Sequence, residues 1–122
     1  METRLGMVEA RFADIVWEHA PLTTKELVEL CSVAPLNWKR TTTYTVLTKF
    51  CNRGIFHMNK RQVTVLIPKE KFRTMQTEQF VQENFQGSLP AFVAAFTSER
   101  SINKEEYEYL KSLVDNYGEK TK

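Results

Sequence analysis

The sequence is poor in the features that mark several protein classes. Two cysteines, Cys31 and Cys51, are too few for a disulfide scaffold, and four glycines exclude a collagen-like chain. No apolar run approaches the roughly 18 residues that span a bilayer. The N-terminal residues lead into no apolar signal region. We therefore expect a reduced, cytoplasmic protein with no direct membrane insertion.

Residue groups that would support catalysis or metal binding are also missing from the sequence. His19 and His57 have no ligand partner at metal spacing, and there is no Gly-rich phosphate loop or nucleophile–base pair. Both cysteines lie on or beside apolar helical stripes, which is typical of buried structural thiols rather than redox sensors. We expect no enzymatic activity, no metal site and no cofactor.

Acidic residues are absent from one long stretch. Residues 30–69 carry seven basic side chains and no Asp or Glu, while the net charge is −3 over residues 1–29 and −2 over residues 70–122. The overall net charge of +2 hides this distribution. The basic stretch is either a solvated face or a surface that binds a polyanion, and charge alone does not decide between them.

Three helices and a hairpin are predicted in the first half of the chain. Apolar spacing places helices at residues 7–19 and 40–53, with Gly54 ending the second of these. Between them, Thr23 and Glu26 form a capping box that starts another helix. Residues 55–58 and 63–67 read as strands joined by a turn at residues 59–62.

The helix at residues 40–53 has two different faces. Thr43, Val46, Leu47 and Phe50 are spaced to face the core. The opposite face is rich in threonine, which is a poor helix former, so a requirement other than helix stability placed these residues there.

The C-terminal half predicts three more helices, at residues 69–85, at residues 89–98 and after Asn103 as N-cap. They carry more large apolar side chains than three short helices can bury among themselves. Packing against the chain's own first domain is the alternative to a second copy. We expect a homodimer with an interface that comprises Phe80, Phe85, Leu89, Phe92, Val93, Phe96, Leu110, Leu113, Val114 and Tyr117.

Three helices followed by a hairpin are the order of a winged helix-turn-helix. We predict a mainly α fold with a small β-hairpin wing. The winged helix-turn-helix DNA-binding domain would span residues 1–69, and a helical dimerisation domain would span residues 70–122. The third helix would enter the major groove, and the wing would contact the adjacent backbone or the minor groove. The predicted DNA-binding residues are Lys39, Arg40, Thr41, Thr42, Tyr44, Thr45, Thr48, Lys49, Lys60 and Arg61.

The chain resembles the penicillinase repressor (BlaI/MecI/CopY) family of bacterial transcriptional repressors along nearly its whole length. The resemblance lies in Leu5, Glu9 and Trp17, in the segment W-K-R-T-T-T-Y-T-V-L-T-K-F-C-N-R-G from Trp38 to Gly54, and in G-S-L-P-A-F-V-A-A-F near the C-terminus. One departure is the family's usual Ser-Pro helix start, which is Lys39-Arg40 here. Another is the Asn that the family typically has at the position of Ala95.

This resemblance implies a dimeric repressor that binds a palindromic double-stranded DNA operator, with Thr42, Tyr44 and Thr45 at groove-reading positions. It also implies inactivation by a membrane sensor protease under antibiotic or cell-envelope stress, with cleavage at the Ala95–Phe96 bond. The alternative is a winged-helix module that binds proteins and never DNA, because the fold alone does not fix the function.

Overall fold

The computed structural model describes residues 2–120, with side chains up to Tyr117. The described chain is mainly helical with one small antiparallel sheet, which confirms the predicted fold class. In chain order the elements are α1 (Met7–His19), β1 (Leu22–Thr23), α2 (Thr24–Cys31), α3 (Arg40–Asn52), β2 (Phe56–Asn59), β3 (Gln62–Val65), α4 (Lys69–Phe85), α5 (Leu89–Thr97) and α6 (Lys104–Lys120).

Two compact units make up the chain, one ending at Phe80 and the other beginning at Val81. Helix α4 belongs to both, since its first twelve residues lie in the first unit. The functional division after residue 69 stays a prediction, because compactness does not show where DNA binding ends and dimerisation begins.

Polar side chains start two of the helices as the sequence predicts. At α2 the Thr23 hydroxyl accepts a hydrogen bond from the Glu26 amide (3.1 Å), and the Glu26 carboxylate accepts one from the Thr23 amide (3.2 Å). At α6 the side-chain oxygen of Asn103 accepts from the Glu106 amide (2.7 Å). Each such cap stabilises its helix by about 1 kcal/mol, because it satisfies an amide with no partner inside the helix.

The sheet differs from the predicted hairpin in two ways. A third strand, β1, pairs with β3, so the strand order is β1-β3-β2. The hairpin turn has two residues instead of four, because pairing continues to Asn59 opposite Gln62. Lys60 (φ +50°) and Arg61 (φ +67°) both adopt the left-handed conformation that a two-residue hairpin of this type requires.

Aromatic side chains form the core of the first unit. The rings of Phe12 and Phe50 lie 5.3 Å apart, as do those of Phe50 and Phe56, and all three side chains are fully buried. Trp38 stacks on Phe12 at 5.7 Å. This core joins α1, α3 and β2, and it therefore fixes the side of α3 that remains outside.

Two apolar side chains at helix starts have opposite environments. Val8, near the start of α1, is 52% exposed, whereas Ala13 further along that helix is fully buried. Phe72, near the start of α4, is buried in the first unit, where its ring lies 5.6 Å from Trp17. The start of α4 is thus part of the core of that unit.

Candidate nucleic-acid interface

Helix α3 is held by the core along one side and is exposed along the other. Thr43, Leu47 and Phe50 are buried as predicted, and Val46 is half-buried. The opposite face presents four exposed threonines, namely Thr41, Thr42, Thr45 and Thr48. The Thr45 hydroxyl donates to the Thr41 carbonyl (2.9 Å), which orients it while leaving its oxygen able to accept a hydrogen bond.

The start of α3 has no side-chain cap, consistent with the replacement of the family's Ser-Pro pair. Lys39 occupies the N-cap position and makes no side-chain capping bond. The chain before it is fixed in another way, since the Trp38 amide donates to the Cys31 carbonyl at the end of α2 (2.8 Å). A backbone hydrogen bond therefore joins the end of α2 to the residue that precedes the N-cap of α3, and the Trp38 ring packs on Phe12 of the core.

The cations predicted to contact DNA lie on α3, at its N-cap and at the hairpin turn. Lys39, Arg40, Lys49, Lys60 and Arg61 are all exposed. Arg53, which also belongs to the basic stretch, is half-buried instead, and its guanidinium donates to the Arg4 carbonyl (3.3 Å). The exposed cations are available to an anionic partner, whereas Arg53 helps to hold the N-terminal segment.

The turn of the hairpin is fixed to the start of α2. The Thr24 amide donates to the Arg61 carbonyl (2.9 Å), and β1 pairs with β3 next to this bond. As a result, Arg61 lies beside Arg40 and Tyr44 of α3 along one cavity of about 310 Å³. Three predicted site residues from two separate elements are thus brought together.

Lys25 also lines this cavity, and sequence reasoning missed it. It lies on α2, outside the stretch free of acids, and that helix was predicted from its capping box. Its exposed position one residue after Thr24 gave a weak signal, because an isolated lysine on a helix surface is common.

The aromatic ring of Tyr44 organises the centre of the site. Tyr44 is half-buried, and the Arg40 guanidinium lies 5.4 Å from the centre of its ring. A side-chain hydrogen bond with Thr24 lowers the pKa of Tyr44, with smaller contributions from Arg40 and Arg61. The lowered pKa thus reflects mainly the hydrogen bond with Thr24, and the positive charges of Arg40 and Arg61 act in the same direction.

Two further observations concern the potential metal ligands and the thiols of the described residues. No group of three or more His, Cys, Asp or Glu side chains there could hold a metal ion. Burial raises the pKa of the Cys31 and Cys51 thiols, which keeps them protonated and weakly nucleophilic at neutral pH.

Large apolar side chains are exposed on α5 and α6, the two described helices that lie wholly in the second unit. On α5 the stripe of Leu89, Val93 and Phe96 is about half exposed. On α6 the exposed stripe comprises Leu110, Leu113, Val114 and Tyr117. Phe80 is also exposed, whereas Phe85 and Phe92 are half-buried with their rings 5.6 Å apart. Most of the side chains predicted to form a dimer interface are therefore accessible on a single chain.

The sequence model of the penicillinase repressor family matches residues 5–116. The chain belongs to the penicillinase repressor family. It is thus a member of the BlaI/MecI/CopY group, as the sequence motifs predict. No curated protein sequence matches the chain significantly.

Membership in the penicillinase repressor family identifies the chain as a DNA-binding transcriptional repressor. The family is generally non-enzymatic. Within residues 2–120, no helix is long and apolar enough to cross a membrane.

Proposed function

We propose that this repressor is a homodimer that reads a palindromic operator, with α3 of each chain in the major groove and each hairpin as a wing on the DNA backbone. The observation that carries the proposal is the division of α3 into a buried apolar side and an exposed threonine side flanked by cations. Short hydroxyl side chains can donate to and accept from base edges. Lysine and arginine beside them can neutralise phosphates.

The wing contributes through its two cations. Lys60 and Arg61 are adjacent at the turn of the hairpin, and both are exposed. Since Arg61 is fixed to α2 through its backbone carbonyl, the wing is held at a set distance from α3. A rigid spacing of this kind suits a partner as regular as duplex DNA.

The exposed stripes of α5 and α6 support a second copy of the chain as the partner of the second unit. Both stripes repeat with the spacing of a helix face that is buried, yet Phe96 is 54% exposed and Tyr117 is 64% exposed. Contiguous apolar surface of this kind on a soluble protein marks an interface. A two-fold dimer would present two copies of α3 related by symmetry, and its operator would share that symmetry.

Binding to duplex DNA at increasing salt concentrations tests this proposal. We expect the affinity of the wild-type protein to fall steeply with salt, because each neutralised phosphate contributes about 0.9 to the logarithmic slope. The double variant Lys60→Ala/Arg61→Ala should weaken binding to all sequences alike and reduce the slope by up to about 2 per chain.

The same titration distinguishes a DNA-binding repressor from the alternative, a winged-helix module that binds only proteins. Such a module would give no salt-dependent binding to any duplex. If the wild-type protein binds duplex but the double variant leaves affinity and slope unchanged, the hairpin is not a DNA contact and its role as a wing is wrong.

Proteolytic inactivation is a prediction that rests on the resemblance alone. The Ala95–Phe96 bond lies inside α5, and both side chains are exposed. A protease would have to unwind this helix locally before cleavage, since a helical backbone does not fit an extended substrate groove. Mass spectrometry of the chain from stressed cells would detect the two fragments expected from this cleavage.

A further inference from the structure

The cavity between α2, α3 and the hairpin turn is lined by three cations from three different elements. Lys25 comes from α2, Arg40 from α3 and Arg61 from the turn, and the remaining lining residues are Thr24, Val28 and Tyr44. No carboxylate of the described residues lines this cavity. The ion pairs Arg4–Glu2 and Lys69–Asp14 lie elsewhere. Three like charges at one cavity repel one another, and an anion placed among them would remove that repulsion.

Two contacts position the framework of the cavity. The hydrogen bond from the Thr24 amide to the Arg61 carbonyl (2.9 Å) joins the turn to α2. The Arg40 guanidinium lies 5.4 Å from the centre of the Tyr44 ring. Contacts that restrict a site before binding reduce the entropy lost when a ligand binds.

The geometry points to a phosphate-binding site in this cavity, in which Lys25, Arg40 and Arg61 together hold one phosphate group. Two guanidinium groups can each donate two parallel hydrogen bonds to phosphate oxygens, and the lysine ammonium adds a point charge. Because Arg40 and Tyr44 also belong to the proposed DNA-reading helix, we infer that the occupant is a backbone phosphate of the bound duplex. This inference about the source of the phosphate rests on the proposed function.

The variant Lys25→Gln tests the site, because Lys25 belongs to neither α3 nor the wing. We expect it to lower the affinity for a random-sequence duplex. It should reduce the salt slope by only part of the roughly 0.9 that one phosphate contributes, because Arg40 and Arg61 still contact the same phosphate. The matched control is Lys71→Gln, which removes another exposed lysine, on α4, that does not line the cavity. The control should change the slope much less.

A second measurement uses inorganic phosphate as the probe and needs no DNA. Titration of the wild-type protein, followed by NMR signals of the Arg40 and Arg61 side chains and of the Thr24 amide, should give saturable shifts. The same titration of Lys25→Gln should give weaker binding by several-fold, whereas Lys71→Gln should behave as wild type.

The two measurements together decide the inference. A reduced slope for Lys25→Gln supports a backbone phosphate as the occupant. An unchanged slope with saturable phosphate binding that depends on Lys25 supports the site but assigns it to a free phosphate. An unchanged salt slope for Lys25→Gln, together with no binding of inorganic phosphate, overturns the site. In that case a steep salt dependence of duplex binding by the wild-type protein would still support the proposed function. If the wild-type protein binds no duplex, the proposed function fails and the phosphate titration alone decides the site.

Discussion

At the scale of single residues, the hairpin turn shows a conflict between stability and binding. Lys60 and Arg61 both have positive φ, although glycine and asparagine are the residues that tolerate this conformation best. Each residue with a Cβ in this region costs roughly 1 kcal/mol. Two cations at these positions are therefore costly for folding, and we attribute their presence to the anionic partner.

The double variant Lys60→Asn/Arg61→Gly tests this conflict by installing the preferred turn sequence. We expect the free energy of unfolding to rise by about 1 kcal/mol, because the strain is relieved. Duplex affinity should fall, since both cations are lost. Urea denaturation and a binding titration measure the two effects.

A matched variant separates the strain from the charge. Lys60→Gln/Arg61→Gln keeps side chains at both positions and removes only the cations, so it should weaken binding without raising the stability. If both double variants stabilise the protein equally, charge repulsion and not backbone strain is the destabilising factor at the turn.

At the scale of the elements, one face of α3 stabilises the fold and the opposite face is the one proposed to recognise DNA. Leu47 is only 1% exposed, and Leu47→Ala should lower the free energy of unfolding by about 2–5 kcal/mol because it leaves a cavity in the core. Thr45 is exposed, and Thr45→Ala should change stability by less than about 0.5 kcal/mol. The same variant should lower the affinity ratio between operator and random duplex by roughly tenfold.

Leu47→Ala should therefore change mainly the stability, and Thr45→Ala should change mainly the discrimination between DNA sequences. Thermal unfolding and competition binding would be measured on the same preparations. A Thr45→Ala protein that discriminates between sequences as well as wild type would show that this face of α3 does not read bases.

The helices could be predicted because their signals are local. Capping residues and apolar spacing within a few turns identify α2, α3 and α6 without any knowledge of distant residues. Strand β1 could not be predicted, because Leu22 and Thr23 form a strand only through pairing with Val63 and Gln62 far along the chain. The two-residue turn was missed for a related reason, since the usual glycine signal is absent from Lys60-Arg61.

The distinction between local signals and contacts of distant residues also applies to the candidate site. The exposed threonines and cations of α3 follow from its helical spacing, so the sequence was sufficient to place them. The cavity shared by Lys25, Arg40 and Arg61 depends on how three elements pack, and no local pattern predicts it.

At the scale of the whole molecule, charge and apolar surface are separated along the chain. The seven basic residues without acids fall in the first unit, and the exposed apolar stripes of α5 and α6 fall in the second. This separation suits a protein with two kinds of partner, DNA for the first unit and a second copy for the other.

Dimerisation is tested by placing a charge on the exposed stripe of α6. Leu110 is 41% exposed, and Leu110→Asp should shift the protein toward monomer, because a buried unpaired carboxylate strongly destabilises an interface. Size-exclusion chromatography with light scattering would measure the mass. Ser112→Asp is the control, since residue 112 lies on the opposite side of the helix from the stripe. A wild-type protein that is monomeric at micromolar concentration would contradict the dimer.

The central claim is that a symmetric dimer of this chain reads a specific DNA sequence. Selection of bound molecules from a pool of random duplexes, followed by sequencing, tests it most directly. The account predicts enrichment of an inverted repeat whose half-sites lie on one face of the duplex, spaced by about one helical turn or a multiple of it. Recovery of unenriched sequences, or of a single half-site without symmetry, would contradict it.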